Sequence, residues 1–375
     1  EKVQVPEVRT ELAQQAPELS KAHELADWVL TLDPYATRES LEQALGEDVA
    51  ILHQDQRLGS NSPLGLVISQ LWSGPVDRAI GHRLIRSGIF SGNDASQMGT
   101  DLRKVATQGH AVLALEAATS GTGINELIGH VAAFAMLGKA STPWPLPPGC
   151  RIVLVSLDEQ PGWFRKGNRA DLLAVAIDPD GQGIHGAVIE VKAVKTPGPV
   201  VSKALKQVKS TLSVTSRALR PRADELATRI WLNRIAEAVY AVARESRILL
   251  TEEELRSIEK FRTGEGSLDW AGMALVFSPA SGIADQRNVV HHEVERDRVP
   301  IVQMTVLLNQ QRLKDAVALD LRELRTVKAE GRPLPAGGRK SRRPERTPVV
   351  GDEPPTGDEP PTGDEPPTGD EPPGG

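Results

Sequence analysis

The segment RADLLAVAIDPDGQGIHGAVIEVKAVK, Arg169–Lys195, decides how this chain is read. Asp171–Ile177 and Gly186–Val194 are apolar, β-branched runs of strand length. Asp178-Pro179-Asp180-Gly181 opens a turn between them, so the pair reads as a hairpin with a loop of about eight residues. Glu190 and Lys192 lie two apart on the second strand and share a face. A turn symmetric about residues 181 and 182 sets Asp171 opposite Lys192, and directly paired residues face the same side. Two carboxylates and a lysine are thus expected to converge on strands that are otherwise apolar, where isolated charges are costly without partners or a metal.

Such a group has a chemical meaning. Hard oxygen ligands suit Mg²⁺ or Mn²⁺, and Mg²⁺ takes only one or two carboxylates beside water and substrate phosphate. A lysine alongside can orient water, help deprotonate it, or offset phosphate charge. A Glu-x-Lys pair on a strand is, on its own, more often a solvated face, so the surroundings matter.

Three surroundings bear on it. Ile124–Leu137 is a helix that is apolar almost all round, yet Glu126 and His130 stand four apart on one face. Glu126 is either a further metal ligand, direct or through water, or a helix-start acid favoured by the dipole, with His130 a core histidine. After the hairpin, Val201–Leu219 is a basic amphipathic helix with Lys203, Lys206 and Lys209 at spacing three and Gln207 among them. That face either tracks phosphates or is ordinary solvated surface. Before the first strand, Pro161–Asp171 interleaves Trp163 and Phe164 with Arg165, Lys166 and Arg169. The mixture suits a nucleic-acid contact, or a packed tryptophan among solvated charges.

The order helix with Glu126, strand, strand with Asp171, strand with Glu190 and Lys192, helix with Gln207 resembles the PD-(D/E)xK phosphodiesterase superfamily, whose core runs α-β-β-β-α-β. In that resemblance Asp171 stands for the motif's Asp, Glu190 for its second acid and Lys192 for its lysine. Glu126 matches the helix glutamate of many members. Ala170 stands where many members have Pro. Gln207 resembles the first residue of the Gln-x-x-x-Tyr element of the RecB-like branch, with Thr211 in place of Tyr. The resemblance covers about Gly121–Leu212, extending at most to Leu308, and implies Asp171, Glu190 and Glu126 as metal ligands for Mg²⁺ (or Mn²⁺), with Lys192 positioning water. The segment is also loosely similar to nuclease regions of bacterial DNA-defence proteins that work with HerA- or FtsK-like ATPases, such as phosphorothioation-dependent restriction systems. That similarity implies a partner supplying an ATPase, translocase or recognition function.

Outward from this core, Glu1 to about Leu115 reads as helical, with helices over Leu19–Leu32 and Ser40–Leu52. Arg151–Leu157 reads as a buried strand, Ala223–Val242 and Glu252–Arg262 as helices, Met273–Phe277 and Ile301–Leu308 as late strands, and Lys314–Lys328 as a final helix. His291-His292-Glu293 lacks the spacing of an HExxH zinc site and reads as loop. SGTGINE lacks the lysine of a P-loop, and no nucleophile elbow is visible. The fold expected is α/β: a helical module over residues 1–115, a PD-(D/E)xK core with helical insertions over 116–330, and a basic linker with a disordered, acidic, Pro-rich repeat tail over 331–375.

Charge and composition agree with a nucleic-acid partner without requiring one. The net charge of −6 owes everything to the tail, whose last 25 residues hold eight acids and no base, leaving +2 on the rest. The single cysteine, Cys150, excludes an internal disulfide and a cysteine-rich zinc site, and points to a reducing cytoplasm. No apolar run approaches membrane-spanning length, so no membrane partner is expected. The first residues show no secretory leader, and Glu1 in place of Met is expected of a chain that is processed or cut from something longer. The function expected is Mg²⁺-dependent hydrolysis of DNA phosphodiesters. The alternative is a catalytically silent, nuclease-like subunit that binds DNA or serves as scaffold.

Overall fold

The structure is a computed structural model; it describes residues 12–26, 29–32, 45, 50–57, 63–70, 74–88, 90, 94–106, 117–118, 123–157, 160, 163–164, 169–219, 225–246, 248–279, 285–294 and 297–330. The linker and repeat tail from Gly331 onward lie outside the described residues.

A mixed seven-stranded sheet forms the centre. Its strands are β4 (Arg151–Ser156), β5 (Leu172–Ile177), β6 (Gly183–Ala193), β7 (Ser267–Ser278), β8 (Gln286–Val294), β9 (Asp297–Leu307) and β10 (Thr326–Lys328). Their spatial order is β10-β4-β5-β6-β7-β9-β8. β4, β5 and β6 form an antiparallel meander, and β7 returns parallel to β6. That return requires a crossover. It is supplied by α5 (Gly198–Ala218), α6 (Glu225–Glu245) and α7 (Glu252–Thr263).

Helices cover both faces, which explains why β5, LLAVAI, is buried at every position instead of alternating. On one face α2 (Gly74–Ser87), α3 (Asp94–Ala106), α4 (Gly123–Leu137) and α8 (Gln310–Val317) share a core with Leu172, Ile189, Val191 and Met273. On the other, α5, α6 and α7 pack on Leu173, Val188, Ala274 and Val276. Gly272 on β7 permits the close approach of α5, since a Cβ there would lie 2.6 Å from Val208 Cγ1. α7 starts with a capping box between Thr251 and Glu254 and ends at Gly264, φ 80°. The Glu254 carboxylate also accepts from Arg151 Nε at 2.8 Å, tying α7 to the start of β4.

Several elements differ from the sequence expectation. The N-terminal region is not wholly helical. After α1 (Leu12–Leu25) come β1 (Val29–Leu32), β2 (Ala50–Arg57) and β3 (Pro63–Gln70), which form a separate antiparallel sheet in the order β1-β3-β2. Short apolar runs fit either periodicity, and here strand pairing takes Val29–Leu32 and Ala50–Leu52. Most of the helix expected over residues 40–52 lies outside the described residues. The boundary expected near residue 115 does not separate two cores, because Val76, Ile80, Leu84, Met98 and Leu102 pack with Ile124 and Leu127. The last helix breaks after Val317; a short α9 (Leu321–Leu324) follows, and Thr326–Lys328 pair with β4 as an edge strand. His291, His292 and Glu293 lie on β8, not in a loop.

The central hairpin is tighter than expected. Its register runs Leu172↔Ile189 to Ile177↔Ile184, leaving Asp178–Gln182 as the connection. Asp178 Oδ1 accepts from Asp180 N at 2.7 Å, an Asx turn, and Gly181 takes φ 73° to complete the reversal. The consequence is a shift of two residues: continued one step beyond Leu172, the register sets Asp171 opposite Glu190, not Lys192. A shift of two preserves the face, so the expected convergence survives the error.

Candidate functional site

Asp171 stands one residue before β5. Its backbone N–H donates to Ile189 O at 3.1 Å, and its Oδ2 accepts from Val191 N at 2.8 Å. The two neighbours of Glu190 are thus both held by Asp171, which sets the two carboxylates side by side. Glu190 is fully buried, and the Lys192 ammonium forms an ion pair with its Oε1. All three lie on the α5 face of the sheet, at the end where β6 and β7 finish and β5 begins.

The electrostatics make Lys192 a fixed cation. Burial pulls its pKa down, but Asp171, then Glu190, then the hydrogen bond with Glu190, then Glu126 together push it above the ordinary lysine value. Lys192 is therefore an ammonium at neutral pH, and its chemistry is charge stabilisation and hydrogen-bond donation. Buried Glu190 meets its desolvation cost in part through this partner.

Helix α5 aligns the strand that carries Asp171. Gln207 Nε2 donates to Arg169 O at 3.1 Å, and Thr211 Oγ1 accepts from Ala170 N at 2.8 Å. These residues are four apart on one helix face and hold consecutive residues leading into Asp171. Thr211 is 1% exposed, so its bond to buried Ala170 has no competing water. In the sequence Thr211 stands out only as a departure from a tyrosine. The signal that could have found it was a polar residue on the apolar stripe of α5, between Val208 and Leu212.

Other expected members are placed differently. Glu126 lies in the first turn of α4, on the opposite side of the sheet, and is exposed; its charge reaches Lys192. It does not complete a three-acid group with Asp171 and Glu190. Among the described residues no cluster of three or more His, Cys, Asp and Glu side chains could hold a metal. His130 is buried in the α4 core. The three lysines of α5 do not share one aspect. Lys203 and Lys206 are exposed, while Lys209 is half-buried and turns toward β8, where its charge, after burial, lowers the pKa of His292. A spacing of three drifts around a helix of 3.6 residues per turn, which is why Lys209 departs. Trp163 and Phe164 pack edge-on against Trp231 of α6, with ring centroids 5.7 and 5.4 Å away. Trp163 is buried in the core of the α6 face, and Phe164 is half-buried against it. Arg169 is half-buried beside α5, and Arg165 and Lys166 lie outside the described residues.

Comparison with known proteins finds no matching family model, curated protein or solved structure. Among the described residues, no helix is long and apolar enough to cross a membrane.

Proposed function

We propose that this chain is a Mg²⁺-dependent nuclease that hydrolyses DNA phosphodiester bonds, built on a PD-(D/E)xK core. The observation that carries the proposal is the meeting of Asp171, Glu190 and Lys192 on one face at the end of the sheet. The element order supports it: α4, an antiparallel meander β4–β6, α5, then β7 parallel to β6.

The donor set fits a hard divalent cation. Two carboxylates flanking one strand register are the number that Mg²⁺ takes from protein when water and substrate phosphate fill the other positions. Asp171 and Glu190 would hold Mg²⁺ (or Mn²⁺). When bound, that cation supplies Lewis-acid polarisation of a phosphate oxygen and a more acidic water. Glu126, across the sheet, would act on the site through its charge and not as a third ligand.

The chain's own residues do the rest. Lys192 directs an ammonium at the developing charge on the phosphate and at the attacking water. Gln207 and Thr211 keep Asp171 in place through Arg169 and Ala170. Lys203 and Lys206 offer exposed charge for the flanking phosphates. A translocase or recognition partner in a bacterial defence or DNA-processing complex remains part of the proposal.

The test is plasmid cleavage by the purified full chain with Mg²⁺ or Mn²⁺, against EDTA and against Glu190→Ala. Metal-dependent nicking that disappears in the variant supports the nuclease. DNA binding without cleavage in any metal moves the chain to the silent DNA-binding or scaffold reading.

A further inference from the structure

β8 is the terminal strand of the central sheet, and its outer edge has no strand beyond it among the described residues. It is nine residues long, QRNVVHHEV, and it is exposed at Arg287, Asn288, His291 and Glu293. Proline and lysine are two common guards against such an edge pairing with another chain, and charges of a single sign repel a second copy. β8 has neither proline nor lysine.

The sequence of β8 is complementary to itself in one antiparallel register. With Val290 placed opposite Val290 of a second copy, Arg287 falls opposite Glu293, Asn288 opposite His292, and Val289 opposite His291, each twice by symmetry. The pairs are opposite charges, a donor–acceptor pair, and apolar or aromatic-edge contacts. The neighbouring symmetric registers fail: centring on Val289 sets Arg287 against His291, and centring on His291 sets Val289 against Glu293. Glu293 already faces Arg298 on β9, Nε to Oε1 at 3.6 Å and both highly exposed. In the symmetric register it would lie between two arginines. We propose that β8 is a homodimer interface, pairing antiparallel with β8 of a second copy about a two-fold axis at Val290. Such an interface is isologous and closed, so it gives dimers and not filaments. The two-fold is perpendicular to the sheet, which puts α5 of both copies on the same face. The proposal stands independently of the nuclease reading.

Sedimentation equilibrium on the full chain tests it, over roughly 1–200 µM because a single strand pairing is a small interface. The expected result is a reversible dimer that Arg287→Glu weakens about tenfold, since both charge pairs become repulsive. Arg287→Glu combined with Glu293→Arg and Arg298→Glu, which keeps the pair with β9 opposite in charge, should restore it to within about threefold. These residues are surface-exposed, and far-UV circular dichroism checks that each variant is folded. A second readout is covalent. Opposite residues of an antiparallel pair have Cα atoms about 4.5–5.5 Å apart, within disulfide reach. Val290→Cys should therefore cross-link to itself on oxidation, and Val289→Cys should not. A monomer at all concentrations, or a dimer indifferent to Arg287→Glu with no Val290→Cys cross-link, overturns the proposal.

Discussion

Thr211→Val removes one hydroxyl and nearly preserves shape, so its effect is worked out directly from the bond it deletes. Thr211 Oγ1 accepts from Ala170 N at 2.8 Å; Thr211 is 1% exposed and Ala170 is fully buried. In the variant that amide faces a methyl group with no room for water. An unsatisfied buried N–H costs about 1–3 kcal/mol. For a domain of this size each kcal/mol lowers Tm by roughly 2–4 °C. The effect should also reach function, because Ala170 directly precedes Asp171, whose position against Ile189 and Val191 sets its carboxylate. Small displacements of a catalytic group cost about 10²-fold in rate, so cleavage should fall further than global stability suggests. Thr211→Ser keeps the acceptor and should retain most activity, giving up only a packed methyl. The measurements are calorimetric Tm and single-turnover cleavage for the three proteins under identical conditions. If Val and Ser variants behave alike in both, Thr211 is a packing residue and the reasoning about its hydroxyl is refuted.

Four other outcomes follow from the same structure. Asp171→Ala, Glu190→Ala and Lys192→Ala should each abolish cleavage in the plasmid assay; equal cutting by Glu190→Ala and wild type removes the site assignment. Lys203→Ala with Lys206→Ala should weaken DNA binding and reduce the salt slope by about 0.9 for each phosphate no longer neutralised, whereas Lys209→Ala, turned toward β8, should change it less in the same titration. The Cys150 thiol is buried and pushed up to about 11, first by burial and then by Asp178 and Asp180, so it should resist an aromatic disulfide reagent at pH 8 until the protein is denatured. Burial lowers the pKa of His185 against the opposing pull of Asp269 and Asp178. The unfolded chain then binds a proton at higher pH than the folded one. The His185 contribution is therefore full above the ordinary histidine value of about 6.5 and is lost as pH falls through the folded pKa. His185→Gln should flatten that part of a Tm-versus-pH curve.

What was legible in the sequence was whatever periodicity and burial determine together. LLAVAI has no polar face to misplace, and its strand was found to within a residue. Glu190 and Lys192 had to share a side because a strand has period two, whatever its partner did. Which residue faces Asp171 was a different kind of question. It depended on an Asx turn at Asp178 and a left-handed Gly181, and counting from an assumed turn centre cannot supply either. The N-terminal region failed for a related reason. Val29–Leu32 and Ala50–Leu52 are short apolar pieces whose state is settled by pairing with β3, a partner distant in sequence.

The site divides along the same line. Its charged residues were visible because charge on an apolar strand is conspicuous. Its positioning roles were not, because what Gln207 and Thr211 hold, the backbone of Arg169 and Ala170, is seen only when the fold brings these segments together. Trp163 is the other case: among basic residues it fits either a ligand contact or a packed tryptophan, and its contact with Trp231 decides for packing. In both cases the deciding fact is a contact between segments far apart in sequence, and such contacts are what the sheet and its flanking helices create. The same logic gives β8 its interest. His291-His292-Glu293, which in sequence reads as loop, is drawn into an edge strand by its pairing with Pro300, Val299 and Arg298 on β9.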